Sequence, residues 1–184
     1  MKKVVLLGDS IRLMGYGSYV PGFLGDGYEV WQPEDNCRFT SYTLRMLFEY
    51  HDFIKDADVI HFNAGHWDLC RIHSDGGTFT PIDVYTREIE RLGKLLLEIC
   101  PNVIFSNTTP VRPENVYNSN EDIHAFNDAA ASVLAPLGIK INDLNTPVAK
   151  DIYRYILDDN IHLTEEASKL CASLVADAIK KSFE

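Results

Sequence analysis

The sequence predicts an α/β protein, a three-layer α/β/α sandwich around a five-stranded parallel sheet with strand order 2-1-3-4-5. Three observations predict it. Short apolar runs without polar alternation recur along the chain, as strands buried on both faces require. Stretches with apolar residues at helical spacing separate them. The regular alternation of the two imposes parallel, right-handed crossovers.

The first strand is residues 4–7, Val-Val-Leu-Leu, and it stops at Gly8-Asp9-Ser10. Gly8 lets the backbone leave the strand in a conformation other residues resist. Residues 28–31, Tyr-Glu-Val-Trp, form a short second strand. In residues 39–50, "FTSYTLRMLFEY", Leu44, Leu47 and Phe48 share one helical face. Residues 57–63, "ADVIHFN", are the third strand. A helix follows, with Thr80 as N-cap, Pro81 in the first position and Asp83 at its positive end. Ile82, Tyr85, Ile89, Leu92, Leu96 and Ile99 line its apolar face. "VIFSNTTP" is the fourth strand, ended by Pro110. An alanine-rich helix covers 121–135, and "GIKIND" is the fifth strand. The last helix has Thr164 as cap, Glu165 and Glu166 at its positive end, and Lys180 and Lys181 at its negative end. The irregular stretches 69–80, 110–120 and 143–163 all follow strands, so they should gather with Ser10 at the carboxyl edge of the sheet, where open α/β sheets bind ligands.

Composition excludes several functions. A chain of 184 residues is most simply one domain, 1–184, large enough for a full core. A net charge of −10 argues against a nucleic-acid partner. There is no Lys/Arg block for an anionic membrane surface and no apolar run near the ~20 residues of a membrane span. Four apolar residues after Met-Lys-Lys are too few for a signal peptide. Cys37, Cys70, Cys100 and Cys171 include no Cys-x-x-Cys pair, which reads as reduced thiols in a cytoplasmic protein. No cofactor motif is present, and oligomeric state leaves no sequence signal.

Ser10, just past the first strand, has two readings: a nucleophile, or an N-cap for the helix that follows. A serine nucleophile needs a base, and "LDDNIHLT" supplies His162 with Asp159 three residues before it. The chain order Ser…Asp…His fits the roles of a hydrolytic triad. Asp158 competes with Asp159 for that place. The Gly-x-Ser-x-Gly elbow is absent, since Arg12 stands at the second Gly position.

"GDS" after the first strand, "AGHWD" after the third, "TTP" ending the fourth and "DNIH" before the last helix resemble, in order, the SGNH (GDSL) hydrolase family. That resemblance implies a flavodoxin-like sheet and ester hydrolysis through an acyl-serine. It makes Ser10 the nucleophile, His162 the base and Asp159 its orienter. The sequence departs from the family in two places. Trp67 holds the position of the Asn whose side chain donates to the oxyanion, leaving Asn63 as the candidate amide donor. The Gly that offers a backbone N–H is replaced near "ENCRFT" by Arg38 or Cys37, which keeps the N–H only if the turn needs no positive φ. The N–H of Ser10 completes the expected oxyanion set of Ser10, Arg38 and Asn63.

Trp67 reads as a pocket wall. Arg12, Arg38, Arg71 and Arg112 are candidate contacts for anionic or hydroxyl-rich substrate parts. The expected partner is a small-molecule ester, with a short acyl group such as acetyl on a carbohydrate. Two rivals compete. His61, His66, Asp68 and His73 cluster in sequence as conceivable metal ligands, although without a His-Glu-x-x-His spacing. The altered oxyanion blocks also fit a related fold that binds a ligand or partner with weak catalysis.

Overall fold

The computed structural model describes residues 1–184. Its sheet has five parallel strands: β1 (Lys2–Leu7), β2 (Tyr28–Trp31), β3 (Val59–Phe62), β4 (Val103–Ser106) and β5 (Lys140–Asn142), in the order β2-β1-β3-β4-β5. Register pairs Val4 with Val59, Ile60 with Val103 and Phe105 with Ile141. Every residue of β3 and β4 is buried, as apolar strands covered on both faces should be.

Alternation along the strands divides the core in two. Val5, Leu7, Ile60, Phe62, Val103 and Phe105 face a layer that includes α2 (Thr40–Glu49), α5 (Ile82–Ile99) and α6 (Asn120–Leu134). Val4, Leu6, Val59 and Ile104 face α1 (Val20–Leu24) and α9 (Glu165–Lys181). Each fully buried side chain of this kind contributes about 1.5–3 kcal/mol of transfer free energy. Short helices fill the connections: α3 (His51–Ile54), α4 (His66–Leu69), α7 (Asn145–Ala149) and α8 (Ile152–Tyr155). No helix is long and apolar enough to cross a membrane.

The caps are right at one end of the chain and wrong in the middle. Thr164 accepts from Ala167 N–H and starts α9, with Glu165, Glu166, Lys180 and Lys181 at the expected ends. Thr80 does not cap α5, which begins at Ile82 with no side-chain cap; its backbone N–H donates to the carbonyl of the buried Asp68 at 2.8 Å. Ser119, unassigned in the sequence reading, caps α6 by accepting from Asp122 N–H. Phe48 is 84% exposed, so the inner face of α2 runs through Thr43, Met46 and Leu47 instead. All four cysteines are free and buried.

Candidate active site

The turn after β1 starts the site. Gly8 has no positive φ, so conformational freedom is not what it supplies. A Cβ there would lie 2.0 Å from Asn63 Oδ1, so the absence of a side chain is what lets the end of β3 close onto the end of β1. Asp9 is buried and its Oδ1 accepts from Ile11 N–H at 2.9 Å. A single π-helical turn, Ile11–Gly15, follows Ser10. Such turns concentrate at functional sites.

The geometry of Ser10 does not match the cap reading. Its side chain makes no cap hydrogen bond. It lies 2.9 Å from His162 Nε2. On the far side of the ring, His162 Nδ1 is 2.7 Å from Asp159 Oδ2. Asp159 Oδ1 also accepts from the backbone N–H of Ile161 at 3.1 Å and of His162 at 2.9 Å. A carboxylate only accepts, so Nδ1 carries the proton and Nε2 is free to accept from the Ser10 hydroxyl. Burial pushes the Asp159 carboxyl up, but these hydrogen bonds outweigh it and hold it below its ordinary value. Asp158 points away, fully exposed, and pairs with Arg112 at 2.8 Å. Between the two acids and the histidine, Asn160 takes a left-handed φ of +71°, which an Asn tolerates.

Around Ser10 and His162 lies a cavity of about 450 Å³. The loops after all five strands reach it: Ser10 and Met14 after β1, Asn36 after β2, His66 and Trp67 after β3, Tyr117 and Asn118 after β4, and Ile161 and His162 after β5. The irregular stretches thus do converge on the carboxyl edge. Trp67, 39% exposed, stands in the wall, as its side chain suggested.

Neither Arg12 nor Arg112, the arginines expected to contact substrate, lines the cavity. Arg12 is fully buried. Its guanidinium donates to the backbone carbonyls of Pro33 at 2.7 Å, Asp35 at 2.6 Å and Gly8 at 3.2 Å. It ties the loop after β2 to the turn after β1 and touches no solvent. Arg112 holds the histidine loop: its side chain donates to Asp158, Tyr153 O and Ile156 O, and its N–H to Asn160 O. A planar fork with five donors suits both tasks.

Of the expected oxyanion set, only Ser10 lines the cavity. The turn after β2 does require positive φ, and Arg38 adopts it at +49°. Its N–H is spent on Asn36 Oδ1 at 2.8 Å. Asn63 is 5% exposed, accepts from Tyr16 Oη at 2.9 Å and does not line the cavity. Ser10 N–H donates to no side chain and to no turn or loop carbonyl. Asn36, which sequence reading missed, lines the cavity instead. A single Asn in a loop carries no periodicity that would reveal it.

His61, His66, Asp68 and His73 do not converge into a ligand set. His61 is buried in β3 against the edge of Tyr16, and burial pushes its pKa down to about 3. His66 sits at the cavity floor between Thr109 Oγ1 and Asn118 Nδ2, each at 3.2 Å. Asn118 Nδ2 donates also to the His66 carbonyl, which fixes Nδ1 as acceptor and the ring as neutral. Burial pushes its pKa down to about 4. Asp68 accepts from the N–H and hydroxyl of Thr40 at the start of α2. His73 lies against Phe79.

No protein-family model and no curated protein sequence matches the chain. Solved structures do. A lipase/acylhydrolase from Enterococcus faecalis superposes with a TM-score of 0.80 at 19% identity, over 98% of this chain and 96% of that one. A GDSL-like lipase from Bacteroides thetaiotaomicron gives 0.76 at 19% identity, over 98% and 89%. Axe2, an acetylxylan esterase from Geobacillus stearothermophilus, gives 0.73 at 14% identity, over 98% and 93%. Nearly the whole chain therefore has the fold of the SGNH (GDSL-like) lipases, acylhydrolases and acetyl xylan esterases, with the expected strand order.

Proposed function

On this shared fold, we propose that the protein is a serine esterase, hydrolysing carboxylic esters through an acyl-serine at Ser10. The observation that carries the reading is the unbroken chain Ser10 Oγ–His162 Nε2, His162 Nδ1–Asp159 Oδ2, at 2.9 and 2.7 Å. His162 Nε2 takes the hydroxyl proton as Ser10 Oγ bonds to the ester carbonyl carbon. Asp159 holds the imidazolium that forms. The tetrahedral intermediate collapses, the C–O bond to the alcohol breaks, and His162 returns the proton to the leaving oxygen. Water, deprotonated by His162, then attacks the acyl-serine and frees the acid and Ser10. The carbonyl oxygen carries negative charge twice along this path, and Ser10 N–H is one donor open to it.

The substrate we favour is a short-acyl ester, such as an acetyl ester, of a carbohydrate. Trp67 and Tyr117 support it by giving the cavity exposed aromatic faces, which suit a sugar ring. Four buried, unpaired cysteines support a cytoplasmic setting. The test is a panel of p-nitrophenyl esters from acetate to palmitate beside acetylated sugars, with a fluorophosphonate probe to report the labelled residue. Turnover highest for short chains and sugar acetates, with label on Ser10, is the expected result. Label elsewhere on active protein would overturn it.

A further inference from the structure

The structure leaves the oxyanion with one evident backbone donor, Ser10 N–H, where a tetrahedral intermediate in a water-poor site needs more. The backbone donor expected from the loop after β2 is not free, because Arg38 N–H already bonds Asn36 Oδ1 at 2.8 Å. That same bond has a second consequence. A backbone N–H can only donate, so the atom of Asn36 facing it must be the carbonyl oxygen. The carboxamide is thereby oriented, and its other end is the NH₂. Nδ2 donates to no protein atom and is not among the buried unpartnered groups. Asn36 lines the cavity that holds Ser10 and His162.

Its place is fixed from both sides. Cys37 N–H donates to Gly8 O at 3.1 Å, so the next residue in the chain is pinned two positions from the nucleophile. Asp35 O accepts from the buried Arg12 guanidinium, which also binds Gly8 O. A donor held this way loses little freedom when charge develops beside it. The other polar groups of the cavity are already engaged or stand further out. Asn118 Nδ2 is spent on His66, and His66 Nε2 pairs with Thr109. Trp67 and Tyr117 are 39% and 56% exposed.

We propose that Asn36 is an oxyanion donor, its side-chain Nδ2 standing in for the backbone N–H that Arg38 no longer offers. The assignment rests on the esterase reading above.

Asn36→Asp is the decisive variant. It keeps an acceptor for Arg38 N–H, and so the turn, but replaces the NH₂ with a carboxylate oxygen. The expected result is a fall in kcat on p-nitrophenyl acetate of about 10³-fold or more, with KM within roughly threefold. Asn36→Ala should cost about 10²–10³-fold and weaken a phenylboronic acid inhibitor, which mimics the tetrahedral adduct, in proportion to kcat/KM. A merely structural Asn36 would leave Asn36→Asp close to wild type and boronate affinity unmoved in Asn36→Ala; either result overturns the assignment. So would Trp67→Phe crippling kcat while Asn36→Ala does not. A wild-type chain that turns over no ester of the panel fails the esterase reading and takes the assignment with it. Wild-type turnover left intact by Asn36→Asp overturns the assignment alone.

Discussion

His162 Nε2 stands 2.9 Å from Ser10 Oγ, although 152 residues of chain separate the two. The contact joins the turn after the first strand to the loop before the last helix. Ser10→Ala and His162→Ala should each lower kcat by roughly 10⁴–10⁶-fold while leaving the thermal midpoint near that of wild type. Asp159→Asn should also be severe, because an amide cannot hold the Nδ1–H tautomer as a carboxylate does. Asp158→Asn should be close to silent, since Asp158 is fully exposed and faces Arg112. Ester hydrolysis rates of the four variants check this. Equal losses at Asp158 and Asp159 would contradict the geometry.

Arg12 offers a separate test, of scaffold against substrate contact. Its buried guanidinium satisfies three backbone carbonyls at once. Arg12→Ala should lower stability by about 3–5 kcal/mol, measured by urea denaturation. Arg12→Lys should rescue little, because an ammonium cannot span the same fork. A substrate-binding arginine would behave differently, raising KM at unchanged stability.

Asn63 should prove structural. Its Oδ1 accepts from the buried Tyr16 hydroxyl, whose proton burial holds firmly in place. Asn63→Ala orphans that hydroxyl and should cost about 1–3 kcal/mol of stability. On the geometry, kcat should stay within about threefold of wild type. A fall of about 10²–10³-fold in kcat at unchanged KM would return Asn63 to the oxyanion site.

Asp68 predicts a pH dependence. Burial pushes its carboxyl up from 3.8 to about 6, against the hydrogen bonds from Thr40. Between these two values the folded state binds more protons than the unfolded chain. Stability from this group is therefore full below about pH 4 and lost as pH rises through about 6, at most roughly 3 kcal/mol. Asp68→Asn keeps an acceptor for Thr40 N–H but does not titrate. Its stability should fall less than that of wild type between pH 4 and 6.5. Parallel curves for the two proteins would contradict the shift.

Much of this fold was legible in the sequence, because strands buried on both faces and helices with one apolar stripe leave short-range periodic signals. Val4–Leu7, the stripe through Tyr85, Ile89, Leu92 and Leu96, and the Thr164 cap all stand where their local pattern put them. Crossover rules then narrow the strand order to a few, and the most economical of them is the one found. That Ser10, Asp159 and His162 come close together was legible for a related reason. Ser10 follows a strand, the other two lie in the loop before the last helix, and loops of this kind gather at the carboxyl edge. What only the tertiary structure decided is which polar partner each remaining side chain finds. Nothing local distinguishes an arginine that faces substrate from Arg12, which faces three carbonyls. Nothing local shows that Arg38 takes a positive φ and spends its N–H on Asn36. A hydrogen bond needs atoms placed to a few tenths of an ångström. Periodicity determines the face of an element, but that finer placement comes only from packing the elements against one another.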